Sequence, residues 1–347
     1  MSQVITGIQQ VGIGVSNAHE AWKWYRDVFD IDVPVFDDEA KATLMKDYTG
    51  GEIHSRRAVL ALNMLGGGGF EIWQFKSRTP SPCEFDLQIG DLGINAVKIK
   101  SRNVEACHKS FRNKNINPLS ELHTDQVGNL SFWVEDPFHN KFQIVSDDSW
   151  FSSRKKNVGG VCGVVMGVKD IDKVLPLYKE ALGFNRLCYD ESGQFDDLKK
   201  NCSYRRVLIE KKQKDEGPFS RLLGGVQVEL VEMLDQEPKS VFKNRYWGDL
   251  GFIHVCFDVN DMDRLESNCE QLGYSFTVDS ADSFDMGEAA GRFSYIEDPD
   301  GTLIEFVQTH KIPIMKKWGW FINLKKRNTD KPLPNWMLRS MALNRVK

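Results

Sequence analysis

Apolar residues in VGIGVSN at 11–17 recur at every second position, and at 18–29 the spacing changes to that of a helix. Trp22, Tyr25 and Phe29 then share one face, the spacing of a core-packed helix rather than a stacking surface. Three short alternating runs follow near 31–37, 56–62 and 69–75. The same order of strand, helix and three strands begins again at 93–99, with a helix at 103–115 and strands near 117–122, 129–135 and 141–146. It begins a third time at 163–170, with a helix at 171–182 and strands near 184–190, 202–210 and 226–232. A fourth copy starts at 251–261, with a helix near 261–272 and strands near 274–279, 292–297 and 302–308.

Three echoes support duplication. EDPFHNKFQIV at 135–145 matches EDPDGTLIEFV at 297–307, HSRRAVLAL at 54–62 matches CSYRRVLIE at 202–210, and AWKWYRDVFDI at 21–31 matches VLPLYKEALGF at 174–184, with Tyr25 and Tyr178 in step. These offsets of about 150 residues predict an N-terminal paired-module domain over 1–150, a polar linker at 151–160, a C-terminal paired-module domain over 161–308 and an extension over 309–347. GGGG at 66–69 lies between strands with no helix after it, so it is no phosphate cradle. KKQKDEGPFSR at 211–221 reads as a charged insertion, either a solvated loop or a lid.

Composition adds one asymmetry. The 347 residues carry a formal charge of −4, but Gln308–Lys347 holds ten Lys and Arg against one acidic residue, Asp330, a net of +9 that leaves −13 for residues 1–307. Such a tail can bind an anionic partner or simply pack on the acidic body. The overall charge argues against a nucleic-acid-binding protein. No run of eighteen apolar residues occurs, so no membrane span is expected. Seven Cys without a CxxC pair suggest reduced thiols and a cytoplasmic protein.

The order of elements, with VGIGVSN and AWKWYRDVF, GVKDIDKVLPLYKEALGF, GFIHVCFDVNDMDRL and above all EDPDGTLIEF, resembles the vicinal oxygen chelate superfamily of glyoxalases, bleomycin-resistance proteins and extradiol dioxygenases. The resemblance spans most of residues 8–308. It implies an α+β fold of four βαβββ modules paired into two curved mixed-sheet domains, each with a concave face able to hold a metal and a small-molecule substrate. A homodimer is compatible with it.

Family ligands come from the first and last strands of paired modules. Carried onto this sequence, those positions imply Glu229, His254 and Glu305 as metal ligands, with Gly163 where a fourth would stand. The N-terminal positions fall at Gln10, Glu71, Asn95 and Gln143, a poor cation site, so that half is expected to be degenerate. One imidazole and two carboxylates favour Fe(II) or Mn(II) and admit Zn(II), Ni(II) or Mg(II). Glu305 is also the expected proton carrier. Tyr204 and Arg206 share a strand face and are candidates for proton donation and substrate pairing, while Cys256 follows His254 on its face. Three functions are then open. They are an extradiol-dioxygenase-like oxidoreductase, a metal-dependent lyase or isomerase working through an enediolate, and a metal-free ligand-binding protein.

Overall fold

A computed structural model describes residues 4–116, 118–281, 284–285, 290–315, 319–325 and 327–346. Module one comprises β1 (Ile5–Gly14), α1 (Ala18–Phe29), β2 (Val33–Lys41), β3 (Ser55–Leu62) and β4 (Gly69–Phe75). Module two comprises β5 (Gly93–Ser101), α2 (Val104–Asn113), β6 (His123–Thr124), β7 (Leu130–Glu135) and β8 (Lys141–Ser146). Module three comprises β9 (Val158–Gly167), α3 (Ile171–Pro176), β10 (Arg186–Gly193), β11 (Tyr204–Lys211), α4 (Ser220–Leu223) and β12 (Val226–Met233). Module four comprises β13 (Gly251–Val259), α5 (Met262–Gln271), β14 (Val278–Asp279), β15 (Phe284–Asp285), β16 (Ala290–Glu297) and β17 (Leu303–Met315). The tail adds β18 (Trp320–Asn323) and α6 (Asn335–Ser340). The strand expected at 117–122 is instead the short β6; residue 117 itself lies outside the described residues.

Each module starts its helix with the same device. Asn17, Asn103, Asp170 and Asp261 sit extended, at φ −142°, −149°, −153° and −150°, and accept hydrogen bonds from N–H groups of the first turn. Each such cap contributes about 1 kcal/mol. The repeated EDP turns are built alike: Asp136 accepts from the N–H groups of Phe138 and Asn140, and Asp298 from those of Asp300 and Thr302.

The sheets pair the modules in a nested way. One runs β2-β3-β4-β1-β13-β17-β16-β14, with β15 on β16 and β18 on β17, so module one joins module four. The other runs β6-β7-β8-β5-β9-β12-β11-β10, so module two joins module three. Expected sheet pairing within each half, over 1–150 and 161–308, is thereby corrected. Sequence echoes delimit modules but carry no information about which open strand edges meet. Consecutive modules do touch, through helix and turn: the Tyr25 hydroxyl of α1 donates to Asp136 of module two at 2.6 Å. Two boundaries also shift, because β9 begins inside the expected linker at Val158, and β17 continues past residue 308 to Met315.

Apolar residues from all four modules, among them Tyr25, Phe111, Tyr178 and Phe257, form one shared core. A second cluster lines the concave side of the module one–four sheet and includes Phe36, Leu62, Phe219 and Met341. The tail packs onto this sheet: Arg345 pairs with Asp32 at 2.8 Å, and Leu338 is fully buried. The insertion at 211–221 is no free loop, since Phe219 is buried and the Gly217 N–H donates to Asp330 of the tail.

Candidate metal centre

Alternation on three strands builds the site. Phe70 and Ile72 of β4 enter the shared core, so Glu71 between them faces the concave side. Ile304 and Phe306 do the same for Glu305 on β17, and Val255 and Phe257 leave His254 and Cys256 on the concave face of β13. Strand β1 pairs with both β4 and β13, and its Gln10 completes the group. A glycine makes room for the imidazole: a Cβ on Gly12, opposite His254, would lie 2.4 Å from His254 Cε1.

His254 Nε2 stands 3.0 Å from Glu305 Oε2 and 3.5 Å from Glu71 Oε2. Gln10 Nε2 donates to Glu305 Oε2 at 3.2 Å. Ligand atoms of Glu71, His254 and Glu305 lie within 4.8 Å of one another, the set of His, Cys, Asp or Glu with that geometry among the described residues. Burial and the Glu305 charge push Glu71 up to about 7 despite relief from His254 and Arg56. Burial opposes the charged form of His254, but Glu305 and Glu71 outweigh it and raise its proton affinity.

Two details fit a cation. Gln10 Oε1 is buried without a hydrogen-bond partner among the described residues, and His254 Nε2 approaches the carboxylates outside hydrogen-bond geometry. Three oxygens and one imidazole nitrogen suit a hard or borderline divalent ion, and two carboxylates match its charge. Behind the donors, Trp247 stacks on His254 with ring centroids 6.2 Å apart, and the Tyr295 hydroxyl lies 3.5 Å from Nδ1. These groups fix the ring so that Nε2 points into the site.

The expected ligand Glu229 lies elsewhere. It is fully buried in the module two–three sheet, with Lys98 Nζ 2.7 Å from one carboxylate oxygen and Arg206 2.6 Å from the other. Burial would raise its pKa, but Arg206 and Lys98 bring it down to about 2. Arg206 also binds Asp197 at 2.8 Å, and His123 approaches the same carboxylate at 3.3 Å. Arg206 is therefore fully committed and cannot serve as a substrate clamp at the other sheet. Tyr204 is buried in a separate cluster with Val231 and Cys202, and burial raises its proton affinity. Cys256 is buried beside Glu305, and burial with that charge holds its thiol well above the usual range.

The empty ligand position at Gly163 has a packing cause, because a Cβ there would lie 2.5 Å from the Gln227 carbonyl oxygen. Asn95 braces a turn instead, accepting from Gly90 N–H and donating to Asp91 O, both at 2.7 Å. Among the described residues the ligand set lies in the module one–four sheet and not in the module two–three sheet, and Gln10 and Glu71 of the half expected to be degenerate join His254 and Glu305. Alternation in GFEIWQF could have revealed Glu71 by the argument used for Glu305. Tyr295 and Trp247 carry no such signal.

Gln10, Glu71 and Glu305 line a cavity of about 370 Å³, whose other walls are mostly apolar. Among the described residues no helix is long and apolar enough to cross a membrane.

Residues 163–306 match the family model of the Glyoxalase/Bleomycin resistance protein/Dioxygenase superfamily. A Bacillus subtilis protein provisionally assigned as a dioxygenase is similar in structure, with TM-score 0.56 and 14% identity over 88% of this chain and 86% of that one. Glyoxalase I from Zea mays is similar at TM-score 0.52 and 14% identity, over 87% of this chain and 92% of that one. At such identity these likenesses concern the fold. A search of curated proteins returned no match.

Proposed function

The chain carries a domain of the glyoxalase/bleomycin resistance protein/dioxygenase superfamily, and on that premise we propose a metal-dependent lyase or isomerase acting on a small substrate with neighbouring oxygens. The observation that carries this reading is the convergence of ligand atoms of two carboxylates and one imidazole within 4.8 Å, with both carboxylates and Gln10 lining a cavity. Gln10, Glu71, His254 and Glu305 would hold the ion, for which Mn(II), Fe(II), Ni(II), Zn(II) and Mg(II) all suit the donors. A bound divalent ion supplies Lewis acidity toward two adjacent substrate oxygens.

The protein's own groups divide the remaining work. Glu305 is held by Gln10 and His254, which suits it to anchoring. Glu71 is less enclosed and lines the cavity, so it takes the proton from a hydroxyl-bearing carbon beside a carbonyl and returns it to the carbonyl carbon, while the hydroxyl proton passes to the former carbonyl oxygen. Trp247 and Tyr295 keep the imidazole in place, and the apolar walls exclude water from the exchanging proton. A set with a single imidazole departs from the two-His, one-carboxylate set of iron-dependent extradiol dioxygenases, which favours redox-neutral chemistry over the dioxygenase reading.

Metal titration of purified protein should give about one Mn(II) per chain, and His254→Ala should lose it. With metal bound, hydroxyacetone in heavy water should take up deuterium at carbon under anaerobic conditions, and Glu71→Gln should abolish the exchange. Stoichiometric metal in His254→Ala, or turnover that consumes dioxygen, would overturn the proposal.

A further inference from the structure

We infer that the substrate of this site is an amphiphile, with its vicinal oxygens at the donor end and an uncharged alkyl or aryl body filling the rest of the cavity. The inference rests on the proposed vicinal-oxygen chemistry for its head and on the cavity walls for its body. At about 370 Å³ the cavity is within the range of roughly 300–1,000 Å³ that encloses organic ligands. Gln10, Glu71 and Glu305 of the donor group line it.

Beyond these donors the wall is mostly apolar and includes Phe36, Leu62, Phe219, Leu223, Phe293 and Met341. These come from four separate parts of the chain. Phe36 and Leu62 belong to module one, Phe293 to module four, Phe219 and Leu223 to the module-three insertion and the α4 turn that follows it, and Met341 to the C-terminal extension. An apolar surface assembled from such distant segments is costly to leave facing water, and a matching apolar ligand removes that cost.

Charge in the walls points the same way. Arg56 reaches the cavity, but its guanidinium is held by Asp38, at 2.6 Å to the carboxylate and 3.0 Å to the carbonyl oxygen. Lys41 stands at the exposed rim. An anionic group on the substrate body would therefore lose its hydration and meet, among the described wall residues, only a guanidinium already paired with Asp38 and a lysine at the rim.

Alkyl hydroxamates, which present two adjacent oxygens, provide the probe. With Mn(II)-loaded protein, affinity should rise about fourfold per methylene, so hexanohydroxamate should bind roughly 100-fold or more tightly than acetohydroxamate. Adipic monohydroxamate, which ends in a carboxylate, should bind at least about tenfold more weakly than hexanohydroxamate. Flat affinity along the series, or equal binding of the carboxylate-ended probe, would overturn the inference.

Matched alkyl amides on metal-stripped protein separate this inference from the metal proposal. Chain-length dependence there supports the apolar body even if the head finds no metal. Tight but length-independent hydroxamate binding sinks the body and leaves the metal standing. Phe219→Lys, or Met341→Lys if the first variant fails to fold, should shift preference toward adipic monohydroxamate. Unchanged preference in a folded variant counts against the proposed wall.

Discussion

Lys98→Met tests whether a built-in cation has replaced metal in the module two–three sheet. Glu229 there is fully buried and balanced by Lys98 at 2.7 Å and Arg206 at 2.6 Å, while Arg206 is shared with Asp197. Losing Lys98 leaves two buried carboxylates facing one guanidinium. Breaking a buried pair in this way costs about 3–5 kcal/mol. A second route gives a lower bound. The fall of Glu229 from 4.5 to about 2 represents about 3 kcal/mol of stabilisation at 1.36 kcal/mol per unit, shared between its two cations. Because this pKa is depressed, the contribution is present above about pH 4.5 and fades as pH falls toward 2. Lys98→Met should therefore lower the urea midpoint at pH 7 and move acid unfolding to higher pH. The double variant Lys98→Met/Glu229→Gln should recover most of the loss, because the cost lies in the uncompensated charge. A double variant as unstable as the sum of its single changes would refute the reasoning.

Two further outcomes follow from the module one–four sheet. Gly12→Ala puts a methyl group 2.4 Å from His254 Cε1, so Mn(II) affinity should fall about 10- to 100-fold, with the circular dichroism spectrum unchanged. Asp258, buried with Thr6 and Gln9 as hydrogen-bond donors, is raised by burial to about 7. Its folded form favours the proton, so stability falls as pH rises from about 4 to 7. Asp258→Asn should remove that decline and gain about 3 kcal/mol on the native protein between pH 5 and pH 8, measured by urea unfolding at both values.

The modules were legible because each repeats a strong local signal: an alternating strand, a capped amphipathic helix and an Asp-led turn. His254 and Glu305 were legible for the same reason, with core residues on both sides fixing their direction. Glu229 satisfies an equally good pattern between Val228 and Leu230, yet its strand belongs to the other sheet. Local periodicity assigns a face to a residue; strand-edge pairing assigns the sheet, and only the second decides which ligands meet. Asn95 failed for a different reason. The pairing of β5 with β9 shifts register between Ile94 and Ala96, and Ala96 is the residue aligned with Lys141, two before Gln143. A bulge of that kind displaces residue counting by one and turns the chosen side chain to the opposite face.

Nested pairing also sets when the centre can exist. Gln10 and Glu305, joined by a hydrogen bond, are 295 positions apart in the chain. At 5–20 residues per second, a ribosome needs roughly 15–60 s to pass from one to the other. The inner module pair can close while the outermost strand β1 still waits for β13 and β17. A chain interrupted before β13 would therefore contain a finished sheet and half a chelate, and synthesis through β17 is the condition for the site to form at all.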